Sequence, residues 1–540
     1  MTTSLPPTRL QRLLGFGVWA ALACAALVHL AYVGSIAGLE DDTEHQETTL
    51  TLATATQLRL GPGALYGPYS RHNPWVLVQA PLYYHLTALL AWPLTWAGFN
   101  PLRACFLAGR GISALASLGC LAVVYRLARA DGASWRAGVW AALLVASARV
   151  VGNYAVTVRA DMLGVLLQTF GVLGVIRALI DRPDRPGGLG ASYAAFALAF
   201  CVKQHDVVTA AVSSILLLAA AIRKPGWRSP VLRAHLCAAL VVAVVLGLDE
   251  LITTGRMSQM AFVQPMELGR IARSSWLSVL GLVLETGDRS SGLLLLAIAC
   301  VWALLGSKPL RRLDALLLAY LAAEITGCVA LGLNSTGAWV NYAIQAVVFG
   351  CLLIGRALDR ALAERRPAWR AVPIVLAAVF LAWNVVWATY RAVEERFALV
   401  NSLHGLVTSR QMDGVLRTEI YFVALPQYNR LFGRVDLAID DWLYGCLEQT
   451  SATEPRSLWL RQVLTAGPVR FVIVPRNPPI PIPNLEVVPG LTEPLPALGY
   501  FPVGQFGQFR LWARPNGGSR MLREGRPGLI NPEPASAGAR

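Results

Sequence analysis

The sequence predicts a mainly α-helical, polytopic membrane bundle of about 11 transmembrane helices, followed by a small extracytoplasmic α/β domain. Three observations carry this: composition, the recurrence of long apolar stretches, and the placement of basic residues between them. Of 540 residues, 55% are hydrophobic and only 15% charged, with a mean hydropathy of +0.50. That is too apolar for a soluble domain, where about a quarter of residues are charged. A bilayer core about 30 Å thick is crossed by roughly 20 apolar residues of helix, and stretches of that kind recur from Leu13 to Tyr390. The net charge of +15 sits in short Lys/Arg clusters between apolar stretches. A nucleic-acid partner, which needs basic residues along one soluble face, is therefore excluded. Eight of the nine cysteines lie in or beside apolar segments, where a thiol behaves as a small hydrophobe, and Cys446 alone falls in the polar tail. No CxxC or Cys/His array points to structural zinc.

Orientation follows from the bias of Lys and Arg toward cytoplasmic loops. With Arg9 and Arg12 inside, the first helix, Leu14 to Leu39, is a retained anchor that exits near Glu40. The external first loop spans 40–109. Within it, Pro81 to Gly98 is apolar but carries Tyr83, Tyr84, His85, two Trp and Pro93, and is assigned to the outer surface rather than to a crossing. The later crossings are Gly111–Val124, Gly138–Val156, Met162–Val175, Ala191–Val202, Val207–Ala221, His235–Leu248, Gly292–Leu305, Ala315–Leu331, Val340–Ile354 and Val372–Ala388. This threading delivers every strong basic cluster to the cytoplasm, including Arg126, Arg129 and Arg136, and the dense run Arg356, Arg360, Arg365, Arg366 and Arg370. Counting 81–98 as a crossing would put every later cluster outside. Residues 1–390 thus form the membrane domain of a multi-pass plasma-membrane protein with a cytoplasmic N-terminus. Residues 391–515, with short strands such as Ile420–Leu425, Val469–Val474 and Phe509–Ala513, form the α/β domain. Residues 516–540, rich in Gly, Pro, Arg and Ala, read as a disordered tail.

The costly polar residues then gather on one side. The first loop opens with Glu40, Asp41, Asp42, Thr43, Glu44, His45, Gln46 and Glu47. This is either a solvated acidic cap on a helix end, or a place where one acid serves as general base for a hydroxyl acceptor. Arg159 and Asp161 lie where one helix leaves the bilayer and the next re-enters, either as a local ion pair or as a phosphate-binding Arg oriented by the Asp. Lys203, in Lys203-Gln204-His205-Asp206, is a cation on the external side against the usual bias. It either snorkels or holds an anion. Asp249 and Glu250, with the loop that follows, are candidates to touch the acceptor. Asn341-Tyr342 either lines the site or anchors the interface. Glu324 lies within an apolar helix and is either protonated or paired.

The order of these features resembles the GT-C glycosyltransferases. The acidic first loop precedes Leu58-Arg59-Leu60-Gly61 and Ala64-Leu65-Tyr66. Ala80-Pro81-Leu82-Tyr83-Tyr84, Gly109-Arg110, Arg159-x-Asp161 and Lys203-Gln204 follow. That large group contains protein O-mannosyltransferases, aminoarabinose transferase and the bacterial RgtA/B/C/D-like enzymes, and the resemblance covers roughly residues 10–360. It implies a polyprenyl-phospho-sugar donor, a hydroxyl on a lipid, glycan or protein as acceptor, and inversion at the anomeric carbon. It further implies a first-loop catalytic acid, here Asp42, then Glu47, then Asp41. The family often has Asp-Glu directly before the amphipathic helix, where this chain has Gln46-Glu47. Arg159 and Lys203 would bind the donor phosphate, with Asp161, Tyr83, Tyr84 and His85 supporting. A lipid monophosphate leaving group implies no obligatory metal or other cofactor. Two other readings compete. A transporter or flippase predicts inverted repeats and mid-membrane charges. A scaffold presenting the tail domain would leave the first-loop acids dispensable.

Overall fold

The computed structural model describes residues 9–37, 47–66, 77, 79–181, 188–266, 311–333, 340–363, 372–407, 420–422, 461, 464–465, 469–475, 494–507 and 509–514. These fall into two units, the first ending at Glu394 and the second beginning at Glu395, a boundary inside the last long helix, which is described with the first unit.

The first unit is helical. In chain order it contains α1 (Arg9–Ala37), α2 (Glu47–Leu60), α3 (Leu82–Trp96), α4 (Pro101–Ala128), α5 (Trp135–Ala146), α6 (Arg149–Tyr154) and α7 (Asp161–Ile176). It continues with α8 (Leu189–Val202), α9 (Val208–Arg223), α10 (Arg228–Thr253), α11 (Arg312–Leu333), α12 (Ile344–Ala363) and α13 (Val372–Val407). Among the described residues, seven helical segments are long and apolar enough to cross a membrane: Arg12–Tyr32, Pro101–Ala128, Asp161–Asp181, Pro225–Thr253, Arg312–Leu331, Asn341–Leu362 and Ile374–Arg391. Three shorter apolar helices, α5, α8 and α9, fall where the sequence expects further crossings. The expected crossing Gly292–Leu305 lies outside the described residues.

The chain is a multi-pass membrane protein, and its surface agrees with a lipid solvent. On α10 the exposed residues Leu232, Leu236, Leu240, Val244, Leu248 and Leu251 recur every three or four positions, one stripe along the whole helix. Helix α3 is 15 residues long and contains Pro93, short of the roughly 20 that a crossing takes. It buries Tyr83 and Tyr84 while Leu89, Leu90, Trp92 and Trp96 stay exposed.

One expected crossing is broken. Gly138–Val156 is not a single helix, because the chain is extended at Ala148 (φ −82, ψ 120) and restarts as α6. The break brings Gly152 against the imidazole of His29 on α1, where a Cβ would sit 2.1 Å from a ring carbon.

Helix α12 runs through the middle of the bundle. The span Asn341–Leu362 is 94% buried, which explains why its apolar residues continue around the whole helix. Gly355 lets it approach α5, since a Cβ there would lie 2.5 Å from the backbone nitrogen of Ala141. At one end of the bundle Arg356 makes four hydrogen bonds to three residues. Its Nε donates to Asp314 Oδ1 (2.6 Å), Nη1 to Ala128 O (2.6 Å) and Asp131 Oδ1 (2.8 Å), and Nη2 to Asp131 Oδ2 (2.6 Å). Arg360 adds a second cation on Asp314 at 2.7 Å. These residues all belong to the expected cytoplasmic side. The expected external residues Asp161, Lys203 and Asn341 meet at the other end.

The second unit holds a four-stranded sheet in the order β1-β2-β4-β3, with β1 Ile420–Phe422, β2 Phe471–Pro475, β3 Phe501–Phe506 and β4 Phe509–Ala513. The β1–β2 pair is parallel and the other two pairs are antiparallel. The Tyr500 hydroxyl donates toward Leu464 O and Val469 O, each at 2.9 Å. Strand β3 was not expected from the sequence. Pro502 and Gly504 interrupt its alternation, and the register shifts between them. The proposed tail, 516–540, lies outside the described residues.

Arg356→Ala strips the buried Asp314 carboxylate and the partly buried Asp131 carboxylate of their shared partner. It should destabilise the bundle by about 3–5 kcal/mol, read as a fall in Tm or loss of monodisperse protein in detergent.

Candidate functional site

The site is built on the turn between α6 and α7. Glu47, the first residue of α2, has no exposed surface and grips the Arg110 guanidinium in a fork. Arg110 Nε donates to Oε1 at 2.9 Å and Nη2 to Oε2 at 3.0 Å, and the same Oε1 accepts the Val158 N–H at 2.8 Å. A bidentate pair of this kind fixes orientation as well as adding energy. From the other side Ser113 Oγ donates to Thr157 O at 2.8 Å. The turn is therefore held by α2 and α4 together, and it presents Arg159.

Arg159 Nε lies 3.2 Å from Asp161 Oδ2, and Lys203 Nζ lies 2.5 Å from Oδ1. Asn341 Nδ2 donates to the same Oδ1 at 2.9 Å. Arg159, Asp161, Lys203 and Asn341 are all buried. The Lys203 ammonium also sits over the Tyr342 ring, 4.7 Å from its centroid. Lys203 is thus no snorkelling surface residue. Burial works against its charge, but the Asp161 carboxylate outweighs that and holds its pKa above the usual lysine value.

Beside this cluster lies a small cavity of about 30 Å³, room for a water or two. Its polar lining includes Asp161, Lys203, Asp206, Glu324, Gln168 and Gln345. Glu324 accepts a short hydrogen bond from Thr209 Oγ1, so the acid that the sequence left either protonated or paired has a hydroxyl partner. Asp206 sits against α7 at Gly164, where a Cβ would come within 2.0 Å of its Oδ2. Burial pushes the Asp206 carboxyl up to about 7, despite the pull of Lys203. Burial, with Lys203 close by, lowers His205 to about 4 and keeps it neutral.

The remaining first-loop residues are tied into the scaffold. Tyr83 Oη donates to Gly109 O at 2.8 Å, and Tyr84 Oη donates a short bond to Gln79 Oε1. His85 Nε2 meets Asp249 Oδ1 at 2.5 Å, while its Nδ1 faces Gln57 Nε2 at 2.6 Å, which joins α2, α3 and α10. Glu250 accepts from the N–H and hydroxyl of Ser258. Gln204 bridges the Ala80 N–H and Ala261 O, each at 3.0 Å. Asp41 and Asp42 lie outside the described residues. The structure thus brings together Arg159, Asp161 and Lys203 and adds Asn341 to them. It places Glu47 with Arg110, and Tyr83, Tyr84 and His85 in the packing of α3. Gln168 and Gln345 were not singled out in the sequence, although a carboxamide inside an apolar helix was the available signal. Among the described residues no cluster of three or more His, Cys, Asp or Glu side chains is placed to hold a metal ion.

Residues 89–248 match the family described as dolichyl-phosphate-mannose-protein mannosyltransferase. No curated protein matches the sequence. Among solved structures, the chain is similar to ArnT from Cupriavidus metallidurans bound to undecaprenyl phosphate. The TM-score is 0.53 at 14% identity, covering 90% of this chain and 97% of that one. The apo state of the same protein gives the same values. The fold is of the GT-C type, as the resemblance implied. It is a predominantly helical membrane architecture with a small β region toward the C-terminus.

An acid whose pKa is raised on folding costs stability as it ionises. From about pH 4, where Asp206 would ionise in the unfolded chain, to about 7, where it ionises in the fold, native protein carries the extra proton and stability falls with rising pH. Tm in detergent should therefore drop between pH 5 and 7.5, and the drop should be smaller in Asp206→Asn.

Proposed function

We propose that the chain is a membrane glycosyltransferase. It moves a sugar from a polyprenyl-phosphate-linked donor to a hydroxyl on a lipid, glycan or protein acceptor, at the extracytoplasmic face of the plasma membrane. The observation that carries this reading is the buried Arg159–Asp161–Lys203 cluster, two cations on one carboxylate, beside a polar cavity at one end of a GT-C bundle. The relative ArnT was solved with undecaprenyl phosphate, a ligand whose phosphate the two cations suit. With the N-terminus cytoplasmic, this end faces outward, and the unit beyond the last crossing is an extracytoplasmic domain of about residues 391–515.

The reaction is a single displacement. A first-loop carboxylate takes the proton of the acceptor hydroxyl, whose oxygen attacks the sugar C1. The bond from C1 to the phosphate oxygen breaks, and the electron pair leaves with the lipid phosphate. Arg159 and Lys203 stabilise the charge that develops there, already oriented by Asp161 before the donor arrives. No step requires a divalent metal. The base is Asp42, with Asp41 its alternative. Glu47 is less suited, because Arg110 and the Val158 N–H engage its carboxylate and it has no exposed surface. Its role is to hold α2 and the Arg159 turn in place. Tyr83, Tyr84 and His85 support the same frame. A transporter or flippase is disfavoured because most ionisable side chains of the site cluster at one end of the bundle.

Purified protein supplied with radiolabelled polyprenyl-phospho-sugars should transfer label to a hydroxyl acceptor. Asp42→Ala should cut the rate about 100- to 10,000-fold at unchanged Tm. Glu47→Ala should instead lower Tm, because it leaves the buried Arg110 charge unpaired. Full transfer by a protein carrying Asp41→Ala, Asp42→Ala and Glu47→Ala together would reject the proposed set of bases.

A further inference from the structure

Four oxygens on the residues that line the small cavity lack a hydrogen-bond donor among the described residues: Asp206 Oδ2, Gln168 Oε1, Asn341 Oδ1 and Gln345 Oε1. For two of the amides the neighbours fix which end is tied to the wall. Asn341 Nδ2 donates to the Asp161 carboxylate at 2.9 Å, and a carboxylate can only accept. Gln345 Nε2 lies 3.3 Å from Thr169 Oγ1, a hydroxyl that has already given its proton to Val165 O. The oxygen is therefore the free end of each, on residues only 5% and 3% exposed. Asp206 Oδ2 packs against α7 at Gly164, one helical turn before Gln168. The four oxygens thus come from α7, the turn between α8 and α9, and the stretch that enters and begins α12.

The charges around them do not balance. Asp161 is shared by Lys203 and Arg159, which leaves one positive charge against the carboxylates of Asp206 and Glu324, and Lys203 is the only cation that lines the cavity. Native proteins rarely leave buried acceptors without a partner, and an ordered water or an ion is the usual one. One water brings two protons to four oxygens and leaves the charge as it is. One cation in the same space draws on lone pairs from all four and cancels the excess. A divalent ion would overshoot that excess, and magnesium keeps several waters, for which about 30 Å³ has no room.

We infer that this cavity binds one dehydrated monovalent cation, of the sodium kind, through Asp206 Oδ2 and the amide oxygens of Gln168, Asn341 and Gln345. Because three of the four ligands are carboxamides, no grouping of three acids, histidines or cysteines marks the site among the described residues. The ion ties α7 to the α8–α9 turn and to α12. Asn341 links it to the Asp161 cluster, with its oxygen on the ion and its nitrogen on the carboxylate. The site needs no sugar donor and stands whether or not the chain transfers a sugar.

The test uses the full chain in detergent, without any lipid donor, above the Asp206 pKa of about 7. Tm is followed in sodium chloride against choline chloride at matched ionic strength, and binding of sodium-22 is measured directly. Wild-type protein should hold about one sodium ion per chain. Its Tm should rise with sodium concentration over the choline baseline, as ligand linkage requires. Asp206→Asn and Gln345→Met should each weaken sodium binding about 10- to 100-fold, the loss of one bond to a charged partner. Each variant is compared with its own choline baseline, so a general loss of stability does not imitate the effect. If one of them does not fold, the other answers the question. Equal Tm of wild type in sodium and choline, with no bound sodium-22, overturns the inference and leaves water as the occupant. Sodium binding that both variants retain at full strength places the ion elsewhere and overturns it too. Stabilisation by calcium chloride at lower concentration than sodium chloride would overturn the monovalent class.

Discussion

The carboxylate of Asp161 is the point on which the arrangement turns. A buried ionised carboxylate is tolerated only when charge and hydrogen bonds replace the water it has lost. Here Arg159 comes from the turn before α7, Lys203 from the end of α8 and Asn341 from the entry to α12. One anion therefore draws three separate stretches of chain to one place. Because two cations share it, the cluster keeps a net positive charge while both side chains are held in fixed geometry. In the reaction proposed above, an incoming phosphate would meet N–H donors that are already oriented, with the ordering cost met in folding rather than in binding.

The rest of the bundle keeps that geometry from relaxing. At the opposite end Arg356 plays a corresponding part with inverted charge, one cation among Asp131, Asp314 and a backbone carbonyl. Helix α12 carries both anchors, with Asn341 just before its first turn and Arg356 in its later half, and it is buried for almost its whole length between them. It therefore behaves as a strut fixed at both ends by polar contacts and along its sides by close packing such as that of Gly355 on Ala141.

Much of this was legible in the chain. Long apolar runs and the spacing of basic clusters reveal the crossings because the bilayer imposes one length and one charge bias on every helix. Arg159, Asp161 and Lys203 stood out because charge at a membrane boundary is costly enough to need a reason. What could not be read was which side chains meet across long sequence distances. The Glu47–Arg110 fork joins residues 63 apart, and the Asn341–Asp161 bond joins residues 180 apart. Neither follows from local periodicity. Gln168 and Gln345 were hidden in the apolar helices that carry them, where a single amide hardly alters the pattern. The break at Ala148 was missed because apolar residues continue through it. Strand β3 was missed for the opposite reason, since Pro502 and Gly504 make a paired segment look like a loop.

The Glu47 clamp also constrains the order in which the molecule is made. Two of its partners are supplied by residues 110 and 158, the second 111 positions further along the chain. During synthesis the first loop emerges well before either exists, so Glu47 lacks both of these contacts until residues 110 and 158 have been made. Completion of the Arg159 turn is thereby tied to the progress of chain synthesis, and a ribosome that stalls before residue 158 leaves Glu47 without the turn that it holds.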